Sequence, residues 1–158
     1  MTDDAVPNHL QVLSDSDCLE ILARHKFGRL GFMAGEWTVI LPVNYVFEEP
    51  TIVVRTGPGA KMDEIPLTMV AFEVDDADPA GAWGWSVLAQ GPAFDISDSI
   101  DEYSDALRHL QVAPQAPGDK PNWLKITARC ISGRRFGDVP PEPDQPEDDR
   151  RSAGVVRP

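Results

Sequence analysis

The apolar residues of this chain come in short runs, each cut off by glycine, proline or acidic residues. None is followed by the helix-then-strand repeat that a parallel sheet requires. Phe27-Gly28-Arg29-Leu30-Gly31-Phe32-Met33 alternates, with Phe27, Arg29, Gly31 and Met33 on one side. Ala34-Gly35-Glu36 makes a turn, and Trp37–Leu41 returns as the second arm of a hairpin. Pro42, which has no N–H to donate, kinks that arm before Val43–Phe47 continues it. Further strands are expected at Thr51–Arg55, Met69–Val74, Gly84–Ile96 with a bend at Gly91-Pro92, and Asn122–Ile131, with Ser132–Phe136 closing the domain. Six or seven short strands joined mostly by turns predict a mainly β fold, an antiparallel barrel with helices at its ends.

Two helices are expected. Ser14 is a good N-cap, Asp15 and Asp17 suit the positive end of a helix, and Cys18, Leu19, Ile21, Leu22 and His25 follow at helical spacing. The second spans 98–112, with Ile100, Tyr103, Leu107 and Leu110 on one face. Residues 1–12 read as a lead-in arm and 13–136 as one domain. Residues 137–158, rich in proline and acid, read as a disordered tail.

Thr51–Lys61 carries the chemistry. A β-branched strand runs into Arg55 and Thr56, a turn with two glycines follows, and Lys61 comes next. Two readings stand side by side: a hairpin loop with two solvated cations, or an anion seat suited to phosphate oxygens. The spacing of a P-loop is absent. Around this turn the chain is acidic, with 26 acidic and 14 basic residues and a net charge of -12, which argues against nucleic acid or an anionic membrane as partner. No apolar run approaches the roughly 20 residues that span a bilayer. Met1-Thr2-Asp3-Asp4 has no hydrophobic leader, so a cytoplasmic protein is expected. Cys18 and Cys130 lie far apart, and the three histidines form no ligand spacing, so neither zinc nor an iron–sulfur cluster is expected. No Ser-His-Asp order or carboxylate pair appears, and no catalytic side chain is assigned.

In order along the chain stand Gly28-Arg29-Leu30-Gly31-Phe32, Pro42-Val43-Asn44-Tyr45, Arg55-Thr56-Gly57-Pro58-Gly59-Ala60-Lys61 and Val70–Asp75. Gly84-Trp85-Ser86-Val87-Leu88-Ala89-Gln90-Gly91 and Ile131-Ser132-Gly133-Arg134-Arg135 complete the series. Over residues 13–136 this resembles the pyridoxamine 5′-phosphate oxidase-like, flavin-binding split-barrel family, in its actinobacterial-type branch. The resemblance implies an antiparallel split β-barrel and a homodimer with flavin mononucleotide (FMN) between two barrels. It implies Arg55, Thr56 and Lys61 on the flavin phosphate, and Pro42, Val43 and Asn44 along the ring. Trp85, Ser86, Gln90 and Gly91 would approach the cofactor, some from the partner subunit, with Trp123 and Arg134 as outer candidates. Hydride transfer to or from a small-molecule substrate at flavin N5 is the implied chemistry. Alternatives are a deazaflavin cofactor in the same fold and a non-enzymatic flavin- or haem-binding dimer.

Overall fold

Strict alternation along Phe27–Ala34 sets the wall of the barrel: Gly28, Leu30, Phe32 and Ala34 are buried, while Phe27, Arg29 and Met33 face out. The computed structural model describes residues 10–57, 68–112 and 121–138. In chain order these form β1 (Gln11–Val12), α1 (Asp15–Arg24), β2 (Phe27–Ala34), β3 (Trp37–Glu48) and β4 (Thr51–Thr56). They continue with β5 (Met69–Ala77), β6 (Gly84–Asp95), α2 (Glu102–Arg108), β7 (Asn122–Thr127) and β8 (Cys130–Phe136). Strands β6-β5-β2-β3-β4-β7 pair antiparallel in that order and β7 returns to β6, closing a six-stranded barrel. Strand β8 lies on the other edge of β6, and β1 pairs with β8. The chain is thus mainly β, with two helices among the described residues.

β6 is the strand that both sheets share. Its first part pairs with β5 and β8, and Ala93–Asp95 pair with β7. The handover occurs at Gly91, where a Cβ would fall on the Thr127 carbonyl; no side chain fits there. Immediately afterwards Ala128 N–H donates to the Pro50 carbonyl at 2.9 Å and Arg129 N–H to the Gln90 carbonyl at 2.8 Å. These bonds swing the chain from the β4 side to the β6 side, so the single strand expected over 122–131 is two strands, β7 and β8.

Inside, Leu30, Phe72, Ile52, Val54, Val87, Ala89, Leu124 and Ile126 form the main core. Tyr45 stands edge-on to Phe72, with ring centroids 4.7 Å apart. Its hydroxyl donates to the Leu22 carbonyl at 2.8 Å, satisfying an acceptor in the last turn of α1 and tying that helix to the barrel. Burial pushes the Tyr45 phenol well above its ordinary range. At the other end of α1, Ser14 Oγ accepts from Asp17 N–H at 3.1 Å and Asp17 Oδ2 accepts from Ser14 N–H at 3.3 Å. Ser14 is the N-cap expected from the sequence, Asp17 completes a capping box with it, and these hydrogen bonds hold the Asp17 carboxyl below its usual pKa.

α2 is shorter than the expected 98–112. Ser97 N–H and hydroxyl both donate to Asp95 Oδ1, at 2.9 and 2.6 Å, just before the expected helix, and Ser99 N–H donates to the Ile96 carbonyl at 3.3 Å, a turn that takes up its first residues. Asp101 then caps the helix by accepting from Ser104 N–H at 2.8 Å, leaving Ile100 fully exposed. Leu107 packs with Val53, Ile96 and Val112 in a second cluster on the outside of β4. β5 extends to Ala77 because Asp75, Asp76 and Ala77 pair with Ser86, Trp85 and Gly84, so the expected acidic loop begins later. β3 runs through Pro42 as one strand. Met62-Asp63-Glu64-Ile65, cut off by Pro66, also reads in sequence as a short helical turn; it and most of the expected tail lie outside the described residues.

Because Gly91 meets backbone rather than a yielding side chain, Gly91→Ala forces the β6–β7 junction apart. It is expected to destabilise the fold by about 2 kcal/mol or more. Circular dichroism melts should show Tm falling by at least about 5 °C; an unchanged Tm contradicts the closure assigned to Gly91.

Candidate functional site

Register decides which residues meet. Phe27 pairs with Asn44, and Arg55 with Trp123. The β3–β4 ladder ends at Tyr45 opposite Val54, so one further step sets Asn44 opposite Arg55. Directly opposed residues in an antiparallel pair share a face. Phe27, Asn44, Arg55 and Trp123 therefore form one row across β2, β3, β4 and β7, on the outside of the barrel.

Three features distinguish this row. Arg55 Cζ lies 5.1 Å from the centroid of the Trp123 ring, a cation–π contact that presets the guanidinium. Asn122 Nδ2 donates to the Gly57 carbonyl at 3.3 Å and so anchors the start of the turn that leads toward Lys61. Asn44 is buried, and its Oδ1 has no hydrogen-bond partner among the described residues. A buried carbonyl left unpaired costs about 1–3 kcal/mol, so its retention calls for a ligand.

The other residues expected at the site are divided among three places. Pro42 is exposed on the same outer face of β3, one pleat from Asn44. Val43, Thr56, Trp85 and Gly91 point to the inside. Thr56 follows Arg55 in a strand that runs through both, so their side chains leave on opposite faces. Trp85 packs under α1 with its ring centroid 4.9 Å from that of His25. Ser86 and Gln90 sit on the outer face of β6, opposite Arg134 and Cys130. From β6 to β3 there are three strand steps, or about 14 Å at the usual interstrand spacing. Lys61 lies outside the described residues. Phe27 and Asn122 were not singled out from the sequence. Strand alternation places Phe27 outward, but its neighbourhood with Asn44 needs the register, and Asn122 is tied to Gly57 only through the pairing of β4 with β7.

The family described as pyridoxamine 5′-phosphate oxidase matches residues 14–135. An uncharacterized protein of Mycobacterium tuberculosis is 32% identical over 92 residues, which is 54% of this chain; the chain spans 60% of the length of that relative. Among solved structures, the FAD binding protein from Mycobacterium smegmatis is similar at 29% identity and a TM-score of 0.64, over 80% of this chain and 98% of that one. A conserved protein of unknown function from Corynebacterium diphtheriae is similar at 32% identity and a TM-score of 0.66, over 80% and 98%.

If the Asn44 amide is kept for a ligand, its removal should help the empty protein. Asn44→Leu is expected to stabilise the ligand-free chain against urea by about 1 kcal/mol, since it replaces an unpaired buried carbonyl with an apolar group of similar size. A loss of stability in that variant contradicts the reading of Asn44 Oδ1 as unsatisfied.

Proposed function

This chain belongs to the pyridoxamine 5′-phosphate oxidase family, and on that footing we propose that its outer row at Asn44, Arg55 and Trp123 holds a flavin, as FMN. The observation that carries the reading is the buried, unpaired Asn44 Oδ1 set opposite Arg55. An isoalloxazine ring has an N–H at its polar edge that suits this acceptor, and a phosphate suits the preset guanidinium of Arg55. FAD binding by the similar M. smegmatis protein supports a flavin as the ligand. Arg55, joined by Lys61 from the following turn, would hold the phosphate, and Asn44 the ring edge. Trp123 keeps Arg55 facing outward. A bound flavin would supply hydride transfer to or from a small substrate. The protein's own part is to orient the ring and keep its phosphate neutralised within a chain of net charge -12.

The same reading includes a homodimer. Phe27, Met33, Ile40 and Met69 stand on the outer face of β2, β3 and β5 with 43%, 52%, 65% and 61% of their surface exposed. Exposed apolar side chains on one sheet face, here interrupted by the Arg29–Asp75 ion pair, are what a subunit interface covers. A second copy on it would also give Ser86, about 14 Å from Asn44 within one chain, and Gln90, further along the same strand, a route to a shared ligand.

Arg55→Ala should weaken FMN binding about tenfold to a hundredfold, the weight of one charge-assisted contact, and leave riboflavin binding unchanged. Fluorescence titration measures both, and an equal loss for the two ligands refutes the phosphate assignment. In melts with FMN, FAD or a deazaflavin added, FMN should stabilise most; no shift with any of them removes the flavin reading. Ile40→Glu should turn a dimer into a monomer in sedimentation velocity, and a wild-type chain that is already monomeric rejects the interface.

A further inference from the structure

A second group of side chains on the outer face stands apart from the Asn44 row. Ser86 and Arg134 are register partners on β6 and β8, so their side chains emerge together. Both line a groove of about 300 Å³, with Leu10 and Phe136 as its apolar walls and Asp75 at its rim. The Phe136 ring lies over Gly84, where a Cβ would meet ring carbon Cε1 at 2.6 Å, so glycine at 84 is what lets the ring lie in the groove. Among the described residues neither the Ser86 hydroxyl nor the Arg134 guanidinium has a hydrogen-bond or ion-pair partner. The neighbouring charges are already engaged: Arg29 is ion-paired with Asp75, and Asp76 Oδ1 accepts from Ala77 N–H at 2.9 Å.

We propose that this groove is a binding site for a small aromatic monocarboxylate, held by Arg134 and Ser86 with its ring against Phe136 and Leu10. A guanidinium and a hydroxyl side by side present parallel donors that match the two oxygens of a carboxylate. The walls offer apolar surface to the rest of the ligand. One unengaged guanidinium balances one negative charge. A phosphate dianion brings a second, for which the groove has no cation, and the Asp76 carboxylate, which has no ion-pair partner among the described residues, opposes it. A cationic ligand meets Arg134 at the floor and finds Asp75 occupied by Arg29. The site goes beyond the flavin reading: Arg134, Leu10 and Phe136 take no part in it, and Ser86, which a partner copy would bring toward a flavin, is the one residue both readings use.

The test uses the full chain as purified, at low salt, with benzoate, benzamide and phenyl phosphate as probes in saturation-transfer NMR. Benzoate should show transfer at millimolar concentration, while benzamide, which has the ring without the charge, and phenyl phosphate should bind at least tenfold more weakly. Arg134→Gln should cut benzoate affinity at least tenfold and Ser86→Ala by a smaller factor. Arg129→Gln, an exposed arginine outside the groove, should leave it unchanged. A backbone amide spectrum of each variant confirms that it is folded. Absence of benzoate binding, equal binding of benzamide, tighter binding of phenyl phosphate, or an unchanged affinity in folded Arg134→Gln each overturns the proposal. FMN binding, measured separately, stands or falls on its own.

Discussion

Closure of the barrel at Gly91 is the contact on which the other arrangements rest. β7 reaches β6 only because the Gly91 backbone lies against the Thr127 carbonyl with no side chain between them. With the barrel closed, β4 has β3 on one side and β7 on the other, so Thr51–Val54 are fixed in register from both edges and Arg55 and Thr56 from β7. Arg55 therefore acquires two neighbours, Asn44 toward β3 and Trp123 toward β7. The handover bonds from Ala128 and Arg129 serve the same end, sending the chain on to β8 and placing Arg134 beside Ser86. Both candidate sites thus follow from one junction.

Much of the fold was legible in the residues because it is written in local chemistry. Ser14 and Asp17 announce a capping box, and the two-residue period of Phe27–Ala34 announces an amphipathic strand. The ends of α2 were not legible: Asp98 to Ile100 fit a helical period, but the chain closes a turn from Ile96 to Ser99, and Asp101 caps the helix only after it. The break of the last long strand into β7 and β8 was hidden for a different reason. It depends on Pro50 and Gln90, residues remote in sequence from Ala128 and Arg129.

At the site the sequence identified residue types but not faces. Arg55 and Thr56 look like joint ligands if they begin a loop, but because β4 runs through both, alternation sends one out and one in. The same rule separates Ser86 from Trp85 and Gln90 from Gly91. A motif read as a cluster is, along a strand, two sets of side chains with different surroundings. The outward set faces ligands or partners, while the inward set holds the wall in place. Trp85 illustrates the inward role, stacked on His25 where α1 meets the sheet.

The outward set also has an electrostatic logic. In a chain of net charge -12, an exposed arginine is normally drawn onto a nearby carboxylate, as Arg29 is onto Asp75 and Arg108 onto Asp105. Arg55 also faces the indole of Trp123, a contact that orients a cation without cancelling its charge. The surrounding acidity then works in the site's favour, since it discourages adventitious anions elsewhere on the surface and leaves the few oriented cations as the places where a negative ligand can settle.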